Sequence, residues 1–302
     1  MNELEGYPRI HSLIWNASFF KPSEQDLDIV LLADLVMAVL SILGCIFNFM
    51  TALLLKTNKI AIGKMVLGLS VMDFVSSVVV IVLRQRTNEY VCRVETFFLY
   101  FGYAGSFAWT CCFANALYKA IKSEDFEVID AALVKNYTKL SIILALLIAV
   151  YSTATGFRKT QDGLCLPQDL NNQSNANQLI IVTVPCLISI VYCLYCYMLV
   201  MKKLKNVGTF ARLELLVYPL ILILCTLPTT LMELLLFIKS DMEIPFWWFL
   251  MSYSLFVGQG FFNAIVYGLS KKVIDGYKAL CCRRSSVHNQ ELLTQNDTSV
   301  RY

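Results

Sequence analysis

One aspartate in this chain sits where hydrocarbon would be its solvent. Asp73 lies mid-run in Leu69-Ser70-Val71-Met72-Asp73-Phe74, with apolar sequence on both sides. A carboxylate at membrane depth is costly unless partnered, so such residues mark functional sites by default. Asn48 and Asn263 lie at comparable depths in two other apolar runs, and Tyr267 follows Asn263 by one helical turn. The four predict a shared inward cluster. It would rearrange when helices move, hold a cation, or act only as a static hydrogen-bonded knot. Catalysis is not expected, because it would need clustered His, Asp or Glu at that depth. Both histidines, His11 and His288, lie in tails, so no catalytic residue, metal ligand or cofactor is assigned.

The elements that position these groups follow from composition. The chain has 302 residues, of which 57% are hydrophobic and 16% charged, with a net charge of +3. Soluble domains carry about 25% charged residues. The cations flank apolar runs and form no basic face, which excludes nucleic-acid binding. A bilayer span needs roughly 17–25 apolar residues. Seven runs qualify: Ile29–Leu55, Met65–Leu83, Phe97–Tyr118, Leu140–Thr155, Leu179–Met201, Leu213–Ile238 and Phe246–Leu269. The fourth is the shortest and weakest. Backbone in lipid must satisfy its own polar groups, so these runs are helices. The expected fold is an all-α membrane protein with a seven-helix transmembrane bundle over 29–269. An outer tail, 1–28, precedes it. The inner segment, 270–302, is expected to hold an amphipathic helix and a disordered tail. Pro185, Pro219 and Pro228 read as kinks inside spans, with Pro219 and Pro228 forming a hinge in the sixth.

Orientation follows from Lys and Arg. With the N-terminus outside, seventeen cations fall on the inner side and eight on the outer. The first 28 residues show no cleavable signal-peptide pattern, so the first span is expected to carry its short tail across. Sequons at Asn16 and Asn172 would then face outward, where glycans can be attached, while two others fall inside.

Seven of the eleven cysteines lie within spans, where Cys is a small hydrophobe. Cys92 and Cys165 lie outside. They are either a disulfide that ties the second outer loop over the bundle mouth or two unpaired loop thiols. After the last span, Val273, Ile274, Tyr277 and Leu280 share one helical face against flanking lysines, which suits the inner leaflet. Cys281-Cys282 follows at once as a candidate palmitoylation pair; the alternative is an ordinary solvated stub. Asp34 and Glu233 near outer span ends either line a cavity or reach headgroups. Arg84, Arg86 and Arg93 either attract an anionic ligand or snorkel at the interface.

The arrangement resembles a G-protein-coupled receptor across nearly the whole chain. Asn48 matches the Asn of span one, and Leu69-Ser70-Val71-Met72-Asp73 matches the span-two Leu-Ala-x-x-Asp pattern. Cys225-Thr226-Leu227-Pro228 matches Cys-Trp-x-Pro without its Trp. Asn263-Ala264-Ile265-Val266-Tyr267 matches Asn-Pro-x-x-Tyr without its Pro. Span three ends in Leu117-Tyr118-Lys119, so the family's Asp/Glu-Arg-Tyr has no counterpart. Ser106–Thr110, Tyr218-Pro219 with Cys225–Pro228, and Gly258–Gly268 are closer to the cyclic-AMP-receptor-like group of slime moulds and other protists.

The resemblance implies a plasma-membrane receptor for an extracellular ligand, coupled to a heterotrimeric G protein. The ligand, expected to be small and anionic, would sit beneath the Cys92–Cys165 loop near Arg84, Arg86, Arg93, Trp109 and Glu233. Outward movement of span six would open an inner cleft faced by Lys119, Lys122, Lys202, Lys203, Lys205 and Arg212. The alternative reading is a non-signalling seven-helix protein, structural or chaperone-like, or a transporter. A retinal-based protein is excluded, because Phe246–Leu269 holds no lysine.

Overall fold

A computed structural model describes residues 24–82, 89–123, 130–155, 157–159, 165–167, 181, 183–207, 217–238, 244–271 and 273–280. The described chain is helical. Helix α1 spans Glu24–Leu54, α2 Ala61–Val82, α3 Glu89–Ser123, α4 Ala131–Thr155, α5 Val184–Val207 and α6 Val217–Ile238. Two shorter helices follow, α7 over Phe246–Val257 and α8 over Gln259–Leu269. Residues 273–280 form a last helix, α9.

Five of these helices are long and apolar enough to cross a bilayer, α1 to α5. The α7–α8 pair, bent by 56°, makes a sixth if it is one span. The apolar part of α6, Pro219–Leu235, is shorter. This is a helical, membrane-embedded protein. Burial runs opposite to that of a soluble domain. Leu32, Val36, Val39, Leu43, Phe47, Met50 and Leu54 form an exposed stripe along α1, and Leu147 and Leu224 are 63% and 67% exposed. The polar side chains of Ser41, Asn48, Thr51, Ser70, Asp73, Ser106, Thr110, Gln259 and Asn263 are buried. Such a surface would associate in water but matches lipid, while the buried hydroxyls and amides link helices.

Helix α3 is the hub, packing against α2, α4, α5 and α6, and α1 closes the ring against α2, α7 and α8. Close approach rests on small residues. A Cβ on Gly102 of α3 would lie 2.8 Å from the backbone nitrogen of Ser76 in α2. One on Gly44 of α1 would lie 3.0 Å from the carbonyl oxygen of Gly260 in α8.

Three sequence expectations need correction. The final run is two helices, broken at Gly258, whose amide caps α7 through the Ser254 carbonyl at 3.0 Å. A Cβ there would lie 2.1 Å from Cε of Met37, so glycine lets α1 press on the break. Pro185 and Pro219 fall in the first turns of α5 and α6, where a missing N–H costs nothing, and only Pro228 is interior. The fourth helix is not short: its 25 residues begin at Ala131, where the Asp130 carboxylate accepts the Leu133 amide at 2.7 Å. An antiparallel ribbon, β1 (Phe157–Lys159) with β2 (Cys165–Pro167), lies after α4 and beside α3.

Candidate functional site

The polar interior centres on Asp73, which is 4% exposed. Helix α2 offers Ser70, Asp73, Ser76 and Ser77 at helical spacing, so one polar face turns inward from an otherwise apolar helix. Ser106 of α3 donates to Asp73 Oδ1 at 2.6 Å. Asn263 of α8 donates to Oδ2 at 2.8 Å. Gln259, one turn before Asn263, donates to Ser106 Oγ at 3.1 Å. Ser77 Oγ lies 2.7 Å from both Ser41 Oγ on α1 and the Asp73 carbonyl oxygen. The Asp73 carboxylate thus joins α2 to α3 and α8, while the Asp73 backbone carbonyl meets α1 through Ser77. Gly260 makes the crossing possible, since a Cβ there would lie 2.4 Å from Ser41 Oγ and 3.1 Å from Asp73 Cβ.

Asn48 and Tyr267 do not share this cluster. Asn48, 1% exposed, donates to Ser70 Oγ at 2.9 Å, while its own Oδ1 has no partner. The Tyr267 hydroxyl lies 2.7 Å from Thr57 Oγ1, in the turn between α1 and α2. The Tyr277 hydroxyl of α9 lies 2.8 Å from Thr51 Oγ1. From Asp73 toward α9 this side is therefore a ladder of separate hydrogen-bonded rungs. Among the described residues no group of three or more His, Cys, Asp or Glu could hold a metal. The contacts within the Asp73 group are hydrogen bonds between helices.

At the other end of the bundle, Glu233 of α6 accepts the Thr183 hydroxyl at 2.7 Å. Arg93 is exposed. Trp109, expected at a ligand cavity, is 2% exposed in a closed core with Met65, Leu69, Phe113 and Tyr267. Its ring lies over Gly68, where a Cβ would meet it at 2.4 Å. Cys92 is buried and disulfide-bonded. Pro228 interrupts α6 beside Thr226, Thr229 and Thr230, and Thr229 donates to the Ser252 carbonyl of α7 at 2.9 Å. At the end of α3 opposite Cys92, Lys119, Lys122, Lys202 and Lys203 are exposed. Lys119 and Lys122 lie over the rings of Tyr137 and Tyr118. Lys203 Nζ reaches the Lys122 carbonyl at 3.4 Å. Arg84, Arg86, Arg212, Asn16, Asn172, Cys281 and Cys282 lie outside the described residues, as do the side chains of Lys205 and Cys165.

Ser106, Gln259, Ser41 and Ser77 carry the junction without having been assigned a role from sequence. A signal was present: Ser70, Asp73 and Ser77, and likewise Gln259 and Asn263, are polar residues one turn apart in apolar runs. Glu95 of α3 was also missed. It is 5% exposed, and neither carboxylate oxygen has a hydrogen-bond partner. An apolar groove of about 520 Å³ between α1 and α8, floored by Gly44, Ala264 and Gly268, opens between exposed Leu43, Phe47 and Leu269 and away from the polar junction.

No protein-family model matches the sequence, and a search of characterised proteins finds none similar to it.

Proposed function

We propose that the chain is a plasma-membrane receptor of the G-protein-coupled type, with seven spans and its N-terminus outside. In this reading the bent α7–α8 pair is one span and α6, with its interior Pro228, is another. The observation that carries it is the Asp73 junction. It ties α2, α3 and α8 at one buried point, next to a helix break and across from the proline-interrupted α6. A junction of hydroxyls and amides around one carboxylate has alternative hydrogen-bond arrangements of similar energy, as a two-state element requires. The excess of inner cations supports the orientation. The disulfide at Cys92 and the ribbon beside α3 support a Cys92–Cys165 tether over the outer mouth.

A ligand, small and anionic if the outer arginines receive it, prefers the state in which α6 swings about Pro228. That movement opens a cleft lined by Lys119, Lys122, Lys202 and Lys203 to a heterotrimeric G protein. An appreciable population shift needs a differential affinity of a few kcal/mol. The arginine-free end of α3, Leu117-Tyr118-Lys119, favours the second reading, a bundle that does not signal.

Guanine-nucleotide exchange on added heterotrimers, with membranes holding the full chain, tests the reading. Wild type raises exchange above empty membranes, and Asp73→Asn and Pro228→Ala each change it at equal surface expression. Wild-type exchange no higher than in empty membranes across the heterotrimer subtypes contradicts receptor function. Unaltered exchange in both variants removes the junction-and-hinge mechanism.

A further inference from the structure

A second buried carboxylate, Glu95 at the Cys92 end of α3, lacks what Asp73 has. Asp73 accepts from Ser106 and Asn263, whereas Glu95 is 5% exposed and neither of its oxygens has a hydrogen-bond partner. Glu95 follows Cys92 by three residues and precedes Leu99 by four, so the three share one face of α3. Cys92 and Leu99 belong to a buried apolar cluster with Val79 of α2, Tyr100 and Ile181. Helix α3 has 35 residues, more than the roughly 17–25 that cross a bilayer, and Glu95 precedes its apolar run Phe97–Tyr118. The carboxyl therefore sits beside hydrocarbon side chains yet close to the aqueous phase.

The elements around this end of α3 offer it little counter-charge. Helix α3 packs against α2, α4, α5, α6 and the ribbon. Helix α2 has no ionisable residue after Asp73, and α4 has only Tyr151 after Lys139. Before Lys202, α5 has only cysteines and tyrosines, and the one charged residue of α6 is Glu233, itself an acid. On α3 the nearest cation, Arg93, is exposed, as is Tyr90, while Tyr100 is buried. The ribbon holds Arg158 and Lys159, whose side chains, like that of Glu89, lie outside the described residues.

We propose that Glu95 is a proton-binding site: it is buried as a neutral carboxylic acid, and loss of its proton drives the side chain out of the apolar cluster and loosens the Cys92 end of α3. An ionised carboxylate buried without a donor or a counter-charge is far costlier than the neutral acid, so the buried group takes up a proton. When the site opens, the O–H bond breaks, the proton passes to water, and the carboxylate finds its hydrogen bonds in solvent. Asp73 escapes this coupling because two helices bring it donors. The proton site does not depend on the receptor reading.

Membranes holding the full chain are treated with dicyclohexylcarbodiimide, an apolar reagent that adds to protonated carboxyl groups, and are digested for mass spectrometry. The expected adduct forms on Glu95 in preference to exposed Asp130, weakens as pH is raised, and is lost in Glu95→Gln. The unfolding midpoint of the solubilised wild-type chain falls by about 3 °C more than that of Glu95→Gln between pH 5 and pH 8. The sign follows from the folded state holding a proton that the unfolded state has released, so stability is lost as pH rises. Amide exchange around Cys92 at pH 8 is faster in wild type than in Glu95→Gln, whose amide cannot ionise. Labelling of Glu95 no stronger than that of Asp130 overturns the proposal, as does a Glu95→Gln variant that tracks wild type across this pH range. Failure of Glu95→Gln to fold also overturns it, because a neutral side chain of the same shape must fit the site.

Discussion

The two sides of the bundle are held together differently. On the α1–α2–α8 side, glycines let backbones approach and hydrogen bonds recur along the interface. Asp73–Asn263, Asn48–Ser70, Tyr267–Thr57 and Tyr277–Thr51 follow one another toward α9. Gly44 and Gly260 admit no side chain at the crossing. On the α5–α6 side the polar links are scattered, Thr183 just before α5 to Glu233, Asn115 of α3 to Tyr192 of α5, and Thr229 to the Ser252 carbonyl of α7, and α6 carries Pro228 in its interior. Local stability follows buried contacts and satisfied backbone, so in the proposed reading the first side is the scaffold and the second is the part that opens. Asp73 stands at the boundary, because its Ser106 bond runs to α3, the hub that faces both sides.

Substitutions at four positions break or sharpen this contrast, each read by unfolding of the detergent-solubilised protein. Gly260→Leu drives a branched side chain into Ser41 and Asp73. Overpacking at a backbone crossing costs about 3 kcal/mol, so little folded protein is recovered. Asp73→Ala leaves the Ser106 and Asn263 donors without an acceptor and costs about 2 kcal/mol, whereas Asp73→Asn, which keeps one acceptor oxygen, costs less. Pro228→Ala returns an N–H toward the Leu224 carbonyl and raises stability by about 1 kcal/mol while lowering nucleotide exchange. A scaffold proline would lose stability on the same change, so the sign decides which side α6 belongs to. Thr183→Val removes one interhelical hydrogen bond on the opening side and costs only about 0.6 kcal/mol.

Much of the scaffold is legible in sequence because lipid punishes error. Each apolar run becomes helix, and an aspartate at depth must find partners, which is why Asp73 and Asn263 can be paired before any coordinates are seen. The remainder is not legible for equally physical reasons. Serines are common in membrane helices, so nothing singles out Ser106 until Gln259 and Asp73 are seen on either side of it. Gly258 breaks the last run because Met37 presses on it from a helix more than two hundred residues away in sequence, a contact that periodicity cannot reveal. Asn48 and Tyr267 share a depth pattern with Asp73 but bond to Ser70 and Thr57, since direction around the helix, not depth alone, selects partners. Trp109 reads as a cavity residue by its type, yet Gly68 offers its ring a flat seat in the core.

The contrast between a fixed side and an opening side is tested most directly by distances between spin-label pairs in the full chain reconstituted in lipid. One pair spans the two sides, from exposed Lys59 in the turn after α1 to exposed Lys202 on α5. A reference pair, Lys59 and Lys271, stays within the scaffold. A narrow reference distance, with a spanning distance that splits into two populations and moves to the longer one when nucleotide-free heterotrimer is added, is the predicted result. Two narrow distributions, both unchanged by the heterotrimer, would contradict it.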